Sequence, residues 1–399
     1  MLRFVPPAGA PLKITKILRA LKTALSSNGR MGECHTFCTA PLHVQHAFGA
    51  SSGRAALWLI LKSLQCLRPE RDVVAVPAYT CFSVPASVVR AGLKIHPVEI
   101  DPHTLDFDLS QLDALPDKKL LCIITSNLFG FVNDLPRVRQ AAQAKGAFVL
   151  DDAAQALGAM RNGQFAGTLG DVGLYSLGRG KAVAAMQGGL IVTNSEEIAR
   201  VVQEEAKNLN APSLTHGAWL LLEMLVYSVL LRPRLYWIPN SLPFLKLGVT
   251  EFNPAFPTEE LHCLYRALLP QLLDELQDIN QIRRANATAI AEALKGNANF
   301  GLPRPAANTS PTFVRLPVVA RDELTRERAV GRLRSAGIGA SAFYPSAICD
   351  IAGIEPHMSA RDFHCKQAEL LSQRLFTLPV NPFVRPQDLK RMVDILTNL

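Results

Sequence analysis

The stretch that decides the fold runs from residue 148 to residue 193: FVLDDAAQALGAMRNGQFAGTLGDVGLYSLGRGKAVAAMQGGLIVT. It opens inside the apolar run Ala147–Leu150, closed by Asp151 and Asp152, and carries two more, Val172–Ser176 and Gly189–Thr193. Short apolar runs bounded by Gly and Asp read as buried strands. Upstream the pattern repeats. Asp72–Val76 stops at Pro77, Leu93–Ile100 and Leu120–Thr125 follow, and helical patterns such as Pro136–Lys145 lie between them. Strand and helix in alternation predict an α/β fold with a largely parallel sheet and helices on both faces. Ligands of such sheets gather at the carboxyl ends of strands, so the polar residues directly after these runs are the candidates for chemistry.

Downstream the texture changes. Thr258–Leu294 is rich in Leu, Ala, Glu, Gln and Arg at helical spacing, which predicts one long helix or two joined ones. A loop, PRPAANTSP (303–311), precedes a strand (TFVRLPVV), a helix over Arg321–Ala336, an extended piece near Gly337–Pro345, and helices over Ala360–Gln373 and Pro386–Asn398. The expected organisation is an N-terminal arm (1–44), a large domain (45–257) with an apolar insertion at about 210–250, and a linking helix with a small α+β domain (258–399).

Composition narrows the function. Of 399 residues, 48% are hydrophobic and 19% charged, which excludes a disordered chain. Lys and Arg number 42 against 34 Asp and Glu, a formal +8 that favours anionic partners. There is no Lys/Arg block dense enough for a nucleic-acid arm, so small phosphorylated ligands are expected and nucleic acid is not. Eight scattered cysteines exclude a disulfide-built fold. Cys34, His35 and Cys38 form the nearest metal-like cluster, but no second ligand pair follows at zinc-finger spacing, so no metal is expected. The start, MLRFVPPAGAPLK, lacks a signal-type apolar stretch, and a cytoplasmic location is expected. Residues 219–231, WLLLEMLVYSVLL, carry Glu223 as their one charge and close on Arg232-Pro233-Arg234. The run falls short of the roughly 20 apolar residues a spanning helix needs. It reads as a buried helix, a subunit contact, or an interfacial helix. For the last, Trp219, Tyr236, Trp237 and the arginines would make a peripheral contact with the inner membrane through 219–238.

Four pieces carry chemistry. Ser51-Ser52-Gly53-Arg54-Ala55 opens a helix that runs toward Leu64; its small residues make a phosphate cradle or an ordinary N-cap on Ser52. Asp152, at a strand end, pairs with a protonated ring nitrogen or caps the next helix. Lys181, on the Gly-rich loop Ser176-Leu-Gly-Arg-Gly-Lys, is a Schiff-base lysine or a surface lysine, and Arg179 beside it is a phosphate contact or a solvated charge. In Val76-Pro-Ala-Tyr-Thr-Cys-Phe-Ser83, an aromatic side chain stacks on a planar ring or packs in the core.

The ordered set SGRAAL, VPAYT, IDPHTLDFD, DDAAQALGA, GTLGDVGLYS, Lys181 and GGLIVTN resembles the PLP-dependent nucleotide-sugar aminotransferases of the DegT/StrS group. So do the stretch from Gly337 to Tyr344-Pro345 and the run Phe376-Thr-Leu-Pro-Val. The resemblance covers about residue 45 onward, interrupted over roughly 210–250. It implies the fold-type-I PLP transferase architecture and pyridoxal 5'-phosphate as cofactor. It implies that Lys181 carries PLP as a Schiff base and moves the proton, that Asp152 keeps the pyridine nitrogen protonated, and that Gln155 lies near the phenolic oxygen. Gly53, Arg54 and Ala55 give backbone N–H groups, and Ser176 its hydroxyl, to the phosphate. Asn253 reaches the neighbouring subunit's phosphate, which implies a homodimer with shared sites. The implied reaction moves an amino group from an amino acid, glutamate, to a keto-sugar of a nucleotide sugar. The chain departs from the family pattern at four places. Cys81, then Phe82, stand where the ring-stacking aromatic is usual. Ala182 replaces an Asn, Asn253 is followed by Pro254 and Ala255 without the family's Arg, and Phe343 replaces a His. Lysine is kept where the related dehydratases carry His. Two alternatives stay open: a PLP enzyme acting by elimination or on a non-sugar substrate, and a catalytically silent, membrane-docked PLP-binding protein.

Overall fold

A computed structural model of the chain describes residues 3–26, 39–183, 185–242, 244, 248, 250–361 and 363–399. Cys34, His35 and Cys38 lie outside the described residues.

Seven strands build the main sheet: β1 (His46–Ala50), β2 (Val73–Pro77), β3 (Lys94–Val98), β4 (Leu120–Ser126), β5 (Phe148–Asp152), β6 (Val172–Ser176) and β7 (Gly189–Thr193), in the order β1-β7-β6-β5-β4-β2-β3. Pairings from β3 to β6 are parallel. β7 runs against both β6 and β1, so the expected parallel sheet ends in an antiparallel edge. Strands β2, β4 and β7 are buried along their whole length, as continuous apolar runs in a sheet covered on both faces should be. Helix α1 (Ile14–Ser26) lies within the segment expected as an arm and buries Ile17 and Ala20. Helix α2 (Gly53–Leu67) turns Leu57, Ile60, Leu61 and Leu64 into the core. Helices α3 (Ser83–Arg90) and α4 (Leu135–Ala144) follow β2 and β4. Asp151 is fully buried, and its carboxylate is satisfied: it accepts from Asn127 Nδ2 (2.7 Å), Gly167 N (2.6 Å) and Leu169 N (3.2 Å).

The apolar segment folds as α5 (Leu214–Leu230), capped by Ser213, whose hydroxyl accepts from His216 N at 3.2 Å. Leu220 and Met224 are fully buried; Trp219, 63% exposed, leads a stripe of Leu222, Val226 and Val229 that faces outward. No helix among the described residues is long and apolar enough to cross a membrane. The predicted linking helix is two, α6 (Cys263–Leu273) and α7 (Leu276–Ala293).

A smaller antiparallel sheet follows, from β8 (Phe300–Gly301), β9 (Leu316–Ala320), β10 (Ser341–Ala342) and β11 (Leu375–Leu378), ordered β8-β9-β11-β10. Helices over Glu323–Ser335, Lys366–Arg374 and Pro386–Thr397 accompany it. The start of the chain packs into both parts. Val5, fully buried, joins the apolar core of the small sheet with Val318, Ile338 and Phe376. Its N–H donates to Gly337 O (2.8 Å), and its carbonyl accepts from Gly339 N (2.9 Å). Arg3 pairs with Asp388 at 2.6 Å. Ala8 and Leu12 belong instead to the core around Tyr175, Leu177 and Leu268.

Candidate active site

The carboxyl ends of β2, β4, β5 and β6 open into one cavity of about 560 Å³, at the place where parallel α/β sheets collect ligands. Asp152 stands at the end of β5 and Ser176 at the end of β6; both line the cavity with Lys181, which the turn after β6 carries back over them. Cross-strand pairing of Ser176 with Gly189 pins both ends of that turn.

Asp152 is 8% exposed. One carboxylate oxygen accepts from Ala154 N at 2.9 Å; the other has no hydrogen-bond partner among the described residues. Burial pushes its carboxyl up to about 6, against the downward pull of the Ala154 N–H and of Lys181. A buried carboxylate with an open lone pair calls for a cationic N–H donor. A protonated ring nitrogen is such a donor. Opposite it, helix α2 begins at the cavity wall. Ser52 Oγ accepts from Ala55 N at 3.1 Å, so the N-cap expected for Ser52 forms. The leading N–H groups, at Gly53 and Arg54, sit at the positive end of the α2 dipole. A methyl group at 53 would come within 3.0 Å of Ser176 Oγ, so glycine lets the helix start and the hydroxyl converge on one spot. Phosphate chemistry fits this spot and ring chemistry fits Asp152, and the residues present match a phosphorylated pyridine cofactor.

Gln155 lines the cavity between two anchors: its amide nitrogen donates to the Tyr344 hydroxyl at 2.9 Å, and its carbonyl oxygen accepts from Phe129 N at 3.3 Å. Cys81 lines the cavity, whereas Phe82 is buried behind it at the start of α3. Ala55 is buried, and its N–H is taken by the Ser52 cap. Asn253 is exposed and outside the cavity, its side chain accepting from Ala255 N at 2.8 Å. Of the residues singled out from the sequence, the structure thus brings together Gly53, Arg54, Cys81, Asp152, Gln155, Ser176 and Lys181. Arg179, by contrast, turns away to pair with Glu223 of α5.

Several lining residues were not anticipated. Thr80 and Ser126 share a hydrogen bond of 2.9 Å, and Asn127 ties both Asp151 and the Asp152 carbonyl (2.9 Å). Thr80 lies shortly after β2, Ser126 ends β4 and Asn127 follows it, so the strand-end rule would have flagged them. His216, Phe256 and Glu259 also line the cavity, and no motif announced them. His216 comes from the head of α5, and its ring lies 6.4 Å from that of His262. A methyl group at Gly217 would fall 2.6 Å from His262 Nε2, so glycine permits this approach. Burial and the facing His216 hold the His262 imidazole below its ordinary range.

The family model of the DegT/DnrJ/EryC1/StrS aminotransferase family matches residues 23–214 and 260–397. The chain is 27% identical to the UDP-N-acetyl-3-dehydro-alpha-D-glucosamine 3-aminotransferase of Acidithiobacillus ferrooxidans, over 96% of this chain and 91% of that protein. Among solved structures it is similar to a DegT DnrJ EryC1 StrS aminotransferase from Brucella abortus (TM-score 0.74, 20% identity, 96% of this chain and 95% of that one). It is also similar to GDP-4-keto-6-deoxy-D-mannose-3-dehydratase from E. coli with bound hydrated PLP (TM-score 0.78, 19% identity, 99% and 100%). These likenesses establish the fold as that of the fold-type-I aminotransferases.

Proposed function

The chain belongs to the DegT/DnrJ/EryC1/StrS aminotransferase family, and from that premise we propose a PLP-dependent aminotransferase that moves an amino group from glutamate onto a keto-sugar carried by a nucleotide. The observation that carries the reading is the meeting of Lys181 and Asp152 in one cavity at adjacent strand ends. Bound PLP supplies an electron sink for the carbon that loses its proton. Lys181 Nζ would hold the cofactor and, once the incoming amine had displaced it, would take and return that proton. Asp152, once ionised, would pair with the ring nitrogen and keep it protonated. The N–H groups of Gly53, Arg54 and Ala55, with the Ser176 hydroxyl, hold the phosphate. Of these, Ala55 has its N–H in the Ser52 cap and contributes least. Gln155 and Cys81, both in the cavity lining, would hold the ring by its phenolic oxygen and by packing, with Phe82 buried behind Cys81.

The acceptor class rests on the basic balance of the chain, which suits a diphosphate, and on the substrate named for the Acidithiobacillus relative. Asn253, exposed and clear of its own cavity, reaches a second copy's phosphate site, and the working unit is a homodimer. The arm, large domain and small domain divide near residues 45 and 258. The enzyme works in the cytoplasm, resting on the inner membrane through 219–238, where Trp219 and Trp237 are exposed beside Arg232 and Arg234.

The test is the visible spectrum of the protein purified with PLP, before and after glutamate, beside Lys181→Ala. A cofactor band that glutamate bleaches, and that the variant lacks or shifts, supports the reading. A band that no amino donor bleaches moves the activity to elimination or to a silent PLP-binding protein, and no band at all overturns the cofactor assignment.

A further inference from the structure

Two thiols away from the cavity stand close enough to react with each other. Cys349 Sγ lies 2.9 Å from Cys365 Sγ. Both are free cysteines; Cys349 is half-buried, and Cys365 is buried in the core around the large sheet. The backbone holds each of them in place. Cys349 sits in the single helical turn Ile348–Asp350, and Ile348 N donates to Ala78 O, just past β2, at 2.7 Å. Cys365 precedes the helix over Lys366–Arg374, where Gln367 N and Ala368 N donate to the Glu99 carboxylate at 2.8 and 2.9 Å. Between the two cysteines the chain touches edge strand β3: Ser359 N donates to Ile95 O at 2.8 Å, and Ser359 Oγ meets His96 Nδ1 at 3.0 Å. A disulfide asks for about 2.05 Å between sulfurs, so the fold has already brought the pair together and a small side-chain movement completes the approach.

We propose that Cys349 and Cys365 are a modification site, a reversible disulfide pair oxidised by a small disulfide of the glutathione type. Neither thiol takes part in the transaminase reading, and the proposal stands without it. Exposure sets the order of events. The Cys349 thiolate attacks one sulfur of the glutathione disulfide, and one glutathione leaves as its thiolate. The Cys365 sulfur then attacks Cys349 Sγ, its proton passing to the second departing glutathione. Two protein thiols are oxidised to one S–S bond, and the reagent is reduced to two thiols. Contact with Cys349 and burial push the Cys365 thiol up, and Glu99 and Asp350 act in the same sense, so Cys365 is a poor first nucleophile. Its nearness offsets this in the second step, which is intramolecular. The bond joins the helix over Lys366–Arg374 to the turn beyond Tyr344, whose hydroxyl anchors Gln155.

The test is a peptide map of the full-length protein after incubation with oxidised glutathione, acid quench and alkylation of the remaining thiols. Incubation lasts as long as a urea-unfolded aliquot needs to react at every cysteine. The expected product is a Cys349–Cys365 linked peptide that exceeds the Cys349–glutathione adduct about tenfold or more and disappears with dithiothreitol. Cys365→Ser should instead accumulate glutathione on Cys349, and Cys349→Ser should leave Cys365 unmodified. A native map in which both cysteines stay alkylated overturns the proposal. So does wild-type protein that holds glutathione on Cys349 while Cys365 remains a thiol. Glutathione on Cys365 in Cys349→Ser overturns the order of attack. If either variant fails to fold, the wild-type map decides the pair by itself.

Discussion

The floor of the cavity and helix α5 break the same rule in opposite directions. At the floor a carboxylate, Asp152, is buried with one oxygen unpartnered among the described residues; on α5 a tryptophan, Trp219, is exposed at the head of an apolar stripe. Stability explains neither, since burying a lone charge costs energy and exposing apolar surface forgoes a gain. Local departures of this kind are where function is sought. They differ in what holds them. Four strand ends fix the floor, whereas α5 is held from one side by Leu220 and Met224 and by the pair between Glu223 and Arg179. That pair joins the two regions, because Arg179 sits on the turn that carries Lys181.

The comparison can be broken first at the floor. Lys181→Ala should lower the glutamate half-reaction about 10³-fold or more, measured in single turnover, with the fold unchanged by circular dichroism. Turnover near the wild-type rate would mean that the floor is not the site. Next, α5 should be two-faced in energy. Leu220→Ala should cost about 3 kcal/mol in denaturant melts, and Trp219→Ser no more than about 0.5 kcal/mol. Equal costs would show that the stripe is covered within the subunit.

A third prediction concerns pH. The Asp152 carboxyl, raised to about 6, keeps its proton in the folded PLP-free protein while the unfolded chain has already lost it. Stability from this group is therefore present at low pH and falls as pH rises through about 6. Asp106, raised to about 6 by burial away from the cavity, acts in the same sense. A ring cation needs the ionised form, so PLP affinity should rise between pH 5 and 7, and Asp152→Asn should flatten that rise while leaving the Asp106 part of the stability slope. A rise that survives in Asp152→Asn would place the pairing elsewhere. The smallest effect is expected on the stripe. Trp219→Ser with Val226→Ser should reduce co-sedimentation with acidic liposomes several-fold. An unchanged bound fraction would make the stripe a contact between subunits instead.

Much of this was legible in the sequence where a property is local. Val172–Ser176 and Gly189–Thr193 are strands to the residue, because an apolar run between Gly and Asp has few other ways to be buried. Asp152 was visible as a polar group closing such a run, and Lys181 as a lysine on the Gly-rich loop after one. Edge strand β1 was not: HAFGA is short, holds a Gly, and is only partly buried. Helix α1 has helical spacing, but its cover is α6, far along the chain. The contacts made between distant parts of the chain were the least legible. Phe256 lies against an arginine from each of α2 and α3, and Gln155 is oriented by Tyr344 from the other half of the chain. Such meetings leave no trace in spacing.

The lodging of Val5 and Arg3 in the small sheet sets a clock on synthesis. Arg3 pairs with Asp388, Pro6 O accepts from Asn381 Nδ2 (2.9 Å), and Val5 packs beside Phe376. On the ribosome these first residues emerge with their cover still untranslated. The small sheet therefore closes only once residues 375–388 have been made, as a long-range step, and a chain cut short near residue 380 loses the cover of Arg3 as well as its own end.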